Sequence, residues 1–173
     1  PSPFNPSCGQ VGAMNVGATP NVYTINAGGT GDFPTIQAAV NAASGGHQIW
    51  LEDGIYTGSG NRDVYFWNKS VKVRSVSGDP SGCVIDCDGS SGDEHRGFLL
   101  TQREGSWAAL QGVTVRNAYT SGAGGGMINS RNRVSVSDCV FDNCHSTDGS
   151  GVFNTAGSIV TVERCTFTSC SAT

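Results

Sequence analysis

Charge of either sign is what this chain most lacks. Only 14% of its 173 residues are Asp, Glu, Lys or Arg, and the net charge is -4. The ten basic residues are scattered, with only Arg131 and Arg133 close together. A nucleic-acid binder carries a basic patch, so nucleic acid is excluded as a partner. No apolar run approaches the roughly 18 residues of a membrane span. No histidine stands at zinc-ligand spacing from the cysteines, which excludes a structural zinc site. No G-x-S-x-G elbow singles out a nucleophilic serine. No leader is visible before PSPFNPSC, which reads as a processed or cut N-terminus.

Glycine and cysteine are abundant instead. The 25 glycines are roughly twice the usual share. Length allows one domain with a real core and is short for two. The seven cysteines (Cys8, Cys83, Cys87, Cys139, Cys144, Cys165 and Cys170) favour an oxidising, extracellular setting, and their odd number leaves at least one unpaired. Asn68, in Asn68-Lys69-Ser70, is the glycosylation candidate.

The most informative pattern is a repeat. VSVSDCVFDNC, from Val134, returns as VTVERCTFTSC from Val160, 26 residues on, and LQGVTVRNA fits the same frame 26 residues earlier. Aligned, Val113, Cys139 and Cys165 form one column, and Val115, Phe141 and Phe167 another. A further step back from Val113 reaches Cys87, a fourth member of the first column. A looser repeat joins RGFLL, GGMIN and SGVFN. Alternation puts Val134 and Val136 on one face and Ser135 and Ser137 on the other.

Runs this short bury their apolar sides only by stacking. The expected fold is all-β: a right-handed parallel β-helix of about 26 residues per coil, with four to five coils from Ile49 onward. Its domain spans 23–173, after an extended segment over 1–22. Phe33, Ile36, Val40 and Ala43 recur at helical spacing, which predicts a capping α-helix near 33–44, with Asp32 as N-cap and Gly45-Gly46 as the stop. That helix is the lid of the first coil. Asp53-Gly54 marks a tight turn between two strands.

GDFPTIQAAVNAA followed by IWLEDGIYTG resembles the entry segment of the pectin lyase-like β-helix superfamily. The later units resemble repeats of polymorphic outer-membrane proteins and related surface β-helices. The likeness covers about Tyr23 to Thr173 and implies the fold; the superfamily includes lyases, hydrolases, esterases, adhesins and viral spikes. The QDTL, DFIFG and LGRPW stretches that the pectinesterase likeness calls for are missing. GAGGGMIN also lacks the aspartate of a calcium-binding RTX coil.

Two functions follow as expectations. The first is a non-catalytic, extracellular structural or adhesive module, a building block of a cell surface or filament, needing no cofactor and no metal. The alternative is a carbohydrate-active enzyme, a polysaccharide lyase or pectinesterase-like protein, or a degenerate sugar-binding relative. For that alternative, Asp86, Asp88, His95 and Arg96 supply acid and base, and Asp88, Asp93 and Glu94 a cation site. Tyr65 and Trp67 would form a sugar platform, and polysaccharide a partner; Trp50 and Trp107 pack at core corners on the plainer reading. His47 and His145 have no evident partner. Cys139 and Cys165 read as a buried thiol ladder, while Cys144 and Cys170, nearer a turn, are disulfide candidates. Cys8, outside the repeat, is placed to tie the N-terminal tail to the body or to a neighbour. With Cys170 closing the last unit, that coil is expected to be covered by further chain or by a head-to-tail neighbour.

Overall fold

The computed structural model describes residues 21–67, 69–101, 107–155 and 157–173. Every strand pairing named between them is parallel. One sheet of six strands runs the length of the molecule: β1 (Val22–Ile25), β2 (Gln48–Leu51), β5 (Lys72–Ser75), β8 (Trp107–Gln111), β11 (Arg133–Ser137) and β15 (Ile159–Glu163). A second holds β3 (Gly54–Tyr56), β6 (Cys83–Asp86), β9 (Thr114–Arg116), β12 (Val140–Asp142) and β16 (Thr166–Thr168). A third holds β4 (Val64–Tyr65), β7 (Phe98–Thr101), β10 (Met127–Ser130) and β14 (Val152–Asn154). A short pair, β13 (His145–Ser146) and β17 (Ser171–Ala172), forms a fourth side. The chain is a parallel β-helix of about six turns and about 26 residues per coil.

Register explains the repeat. Val134 faces Val160 and Ala108, and Phe141 faces Phe167 and Val115, so residues 26 apart stack directly. Val134, Val136 and Phe141 are buried and Ser135 is exposed, as alternation predicts. The looser repeat is a glycine ladder on the same core. A Cβ on Gly126 would lie 2.6 Å from Phe141 Cδ1, and one on Gly151 2.5 Å from Phe167 Cδ1. Only glycine lets the third sheet close over the phenylalanine column.

The earlier coils depart from 26 residues. Lys72 pairs with Ala109 and Val84 with Thr114, so chain is inserted between these rungs. This corrects the column drawn back to Cys87: by register Cys83 lies below Val113, and Cys87 belongs to the ladder of Ala118, Cys144 and Cys170. The six cysteines that are described thus form two ladders flanking the second sheet, all as free thiols. Cys144 Sγ donates to Val115 O at 3.8 Å, and Cys170 Sγ to Phe141 O at 3.4 Å. Each thiol has a carbonyl of the coil beneath within reach. Parallel stacking orients both Cβ vectors alike, so the structure shows no Cys144–Cys170 disulfide.

The helix is shorter than predicted. It runs Ile36–Ala42, and its N-cap is Thr35, whose hydroxyl accepts from Ala38 N at 3.2 Å. Asp32 accepts from Thr24 N instead. The lid works by hydrogen bonding as well as by burial of Ile36, Ala39 and Val40. Gln37 Oε1 accepts from Tyr65 N at 2.6 Å and Gln37 Nε2 donates to Tyr65 O at 3.0 Å, so one side chain replaces the missing strand at the β4 edge. Lys69 Nζ donates to Val40 O and Asn41 O at the helix C-terminus.

The last described coil is less buried than those before it. Val162 and Phe167 of the last coil are 42% and 48% exposed, and Cys165 is half-buried. Phe167, expected as a core rung, stacks on Phe141 at 5.2 Å but is covered from one side only. Phe141→Ala therefore costs about 3–5 kcal/mol and Phe167→Ala about half of that. Ser135→Ala leaves the denaturation midpoint within error, and equal losses at all three positions would contradict this assignment of faces.

Burial pushes the Cys83, Cys139 and Cys144 thiols up to about 12. It raises Cys87 well above its ordinary value too. The thiolate is the reactive form. Iodoacetamide at neutral pH is therefore expected to leave these four unmodified in the folded protein, as read by peptide mass mapping, and to modify them once urea unfolds it.

Candidate functional site

The charged stretch from Asp86 to Arg96 does not converge on one point. Asp86 turns along the helix axis, where Arg116 Nη2 lies 2.8 Å from Oδ2 and Asn117 Nδ2 donates to Oδ1 at 2.9 Å. Burial opposes ionisation there, but the bonds from Asn117 and Arg116 outweigh it and hold Asp86 below the usual carboxylate range. Arg96 donates to Ala123 O, away from Asp86. Glu94 accepts from Thr120 Oγ1 at 3.1 Å. Asp88 and Asp93 stand 3.9 and 4.0 Å from the Arg62 guanidinium. The sets expected for acid–base work and for a cation are thus dispersed. Among the described residues no three His, Cys, Asp or Glu side chains come together as metal ligands.

Two of those residues, Asp93 and His95, do sit in a constellation, with Asp63 and Arg62 as partners the sequence did not suggest. His95 Nδ1 lies 2.6 Å from Asp63 Oδ2, while Asp63 Oδ1 accepts from Arg96 N at 2.8 Å. Its Nε2 is 3.2 Å from Asp93 Oδ1 but poorly aligned for a hydrogen bond. Gln37, Ser59, Gly60, Arg62, Asp63 and His95 line a cleft of about 260 Å³ beside the lid. Asp63 holds a left-handed backbone (φ 52°), which aims its carboxylate at the next coil. Asp63 and His95 are 32 positions apart, and this larger spacing hid the pair from a search at 26. The cleft thus offers a carboxylate-oriented imidazole beside a guanidinium, a pairing suited to proton transfer next to a bound anion.

The aromatic candidates divide between two sides. Tyr65 and Trp67 pack at 4.3 Å between ring centres, with Trp67 half-exposed and the Tyr65 hydroxyl bonded to Thr101. Trp50 and Trp107 lie on the outer face of the first sheet, each beneath an arginine, Arg74 and Arg133. Trp107 is 65% exposed, so it is no core corner. Both histidines expected to be free have partners: His47 Nδ1 accepts from Ser44 N, and His145 is hydrogen-bonded at both ring nitrogens. Asn68 and Cys8 lie outside the described residues. No helix among the described residues is long and apolar enough to cross a membrane.

No protein-family model, curated protein or solved structure matches this chain. The fold therefore stands on its own geometry.

A pH dependence follows from Asp86. A carboxylate held below its unfolded value of about 3.9 contributes stability that is complete above that pH and is lost as pH falls through the folded value. Asp86→Asn is expected to lower the urea midpoint at neutral pH. Its midpoint should then fall less than that of the parent between about pH 4 and pH 2. Parallel curves for the two proteins would remove Asp86 as a contributor.

Proposed function

We propose that this chain is an extracellular structural or adhesive β-helix module, a unit of a cell-surface or filamentous assembly. The reading rests on how its polar side chains are used. Asp86 bonds Asn117, Asn117 bonds Asn143, Asn129 bonds Asn154, and Asp138 binds Arg164 at 2.6 Å. These contacts all run between successive coils. They stiffen a rod and leave few polar groups converging on a ligand. The extracellular setting is inferred from seven cysteines and sparse charge. Membership of the pectin lyase-like superfamily, right-handed winding and glycosylation at Asn68 belong to the same proposal.

The exposed face of the last described coil suits coverage by a second copy or by further chain. Its unpaired strand edges and exposed Val162 and Phe167 are a template for another coil. A head-to-tail contact of this kind gives a filament unless a rotation closes it. A second reading, a carbohydrate-active enzyme, is favoured by the Asp63–His95 pair beside Arg62.

Sedimentation velocity over a wide concentration range tests the first reading. The mass is expected to rise with concentration, and Phe167→Asp to hold the protein monomeric with its circular dichroism unchanged. A parent chain that stays monomeric throughout would overturn the assembly. Turnover of an acidic polysaccharide that disappears in His95→Ala would establish the second reading in its place.

A further inference from the structure

Away from the Asp63–His95 cleft, four coils carry a continuous chain of side-chain hydrogen bonds that ends on a serine. Asp86 is ionised, so its oxygens only accept. Asn117 must therefore turn its amide nitrogen towards Asp86, and that bond is 2.9 Å. This leaves Asn117 Oδ1 to accept from Asn143 Nδ2, also at 2.9 Å. Asn143 Oδ1 is then the atom that faces His145 Nε2, 3.0 Å away, and an oxygen there requires the proton on Nε2. His145 Nδ1 is left as a bare acceptor, and Ser171 Oγ lies 2.6 Å from it. Each orientation follows from the one before. Arg116, bonded to Asp86 Oδ2 at 2.9 Å, anchors the far end.

The serine and imidazole open onto a cavity of about 340 Å³, whose wall includes Tyr119, Thr120, Ser121 and Thr147. Tyr119 packs on the His145 ring, with centres 6.3 Å apart, and helps to hold its plane. A hydroxyl within reach of a base, a base oriented by a third group and room for a reacting carbonyl are the parts of nucleophilic catalysis. Thr120 donates to Glu94 and Ser146 to Asp148 O, so the lining hydroxyls left to face a developing oxyanion are those of Tyr119 and Thr147.

We propose that Ser171 is a nucleophile activated by His145, for acyl transfer from an ester with a small acyl group. Asn143 and, through it, Asn117 and Asp86 are positioning residues. In the reaction the Ser171 proton passes to His145 Nδ1 as the bond from Oγ to the acyl carbon forms. The ester C–O bond then breaks, and His145 returns the proton to the departing alkoxide. Water reverses the sequence and releases the acid. Nothing else is consumed. This inference goes beyond the structural reading and does not depend on it.

A fluorophosphonate probe tests it on the whole protein, because Ser171 Oγ would bond to phosphorus with loss of fluoride, its proton leaving by way of His145. Peptide mapping of the labelled parent chain is expected to place one modification at Ser171, a result that needs no variant. Ser171→Ala should abolish it. His145→Ala should slow labelling by about 100-fold, with recovery on adding free imidazole, which no loss of fold would show. Asn143 has a left-handed backbone (φ 51°) that both Gly and Asp tolerate. Asn143→Gly should therefore slow labelling about tenfold, and Asn143→Asp, which keeps an acceptor for Nε2, should retain it. The proposal is overturned by a folded parent chain that does not label, by labelling that survives Ser171→Ala, or by His145→Ala labelling at the parent rate.

Discussion

Parallel pairing of each coil with the coil beneath it, in register, is the constraint on which this structure depends. Strands at about 4.8 Å spacing place a side chain directly over its counterpart one turn earlier. Whatever stands at one position must then be compatible with itself or a close analogue in the neighbouring coil. Phe141 and Phe167 stack almost face to face, with 8° between their planes, because register gives them no other arrangement. The same rule builds the asparagine ladders, the glycine ladder beneath the phenylalanines and the two columns of thiols. Side chains stacked this way have parallel Cβ vectors, which does not favour a bridge between neighbouring thiols.

The ends and the insertions are where stacking cannot supply a partner, and polar chemistry gathers there. At the first turn, Gln37 takes the place of a strand for Tyr65, and Asn61 Oδ1 accepts from Ile36 N at the start of the helix. Where chain is inserted between rungs, the added residues leave the ladders and carry Arg62, Asp63, Asp93 and His95 to one side of the rod. The regular coils make a stiff scaffold, and the irregular ones make a cleft.

The two constellations differ in how they are held. His95 is braced by Asp63, whose other oxygen binds a backbone N–H, so its support is local. His145 is braced by a relay that reaches Asp86 two coils away. Substitutions far from that cavity therefore act on it through the amide orientations, each of which has only one arrangement once Asp86 is charged.

By itself the sequence determined the coil. The 26-residue spacing of Val113, Cys139 and Cys165, and of Val115, Phe141 and Phe167, is a translation along one axis, and translation is visible in one dimension. The lid was legible too, from apolar spacing of Phe33, Ile36, Val40 and Ala43 near 33–44, although the helix is shorter and Thr35, not Asp32, caps it. Only the tertiary structure decided which residues meet where that translation fails. The inserted loops shift the frame, so Cys83 replaced Cys87 in its column and Asp63 met His95 across 32 residues. His145 and Ser171 do lie 26 apart, so their column was readable. Their bond was not, because it depends on rotamers and amide orientations set across neighbouring coils. Exposure was hidden for the same reason: Phe141 and Phe167 read alike in the repeat, and only a coil above makes one of them core.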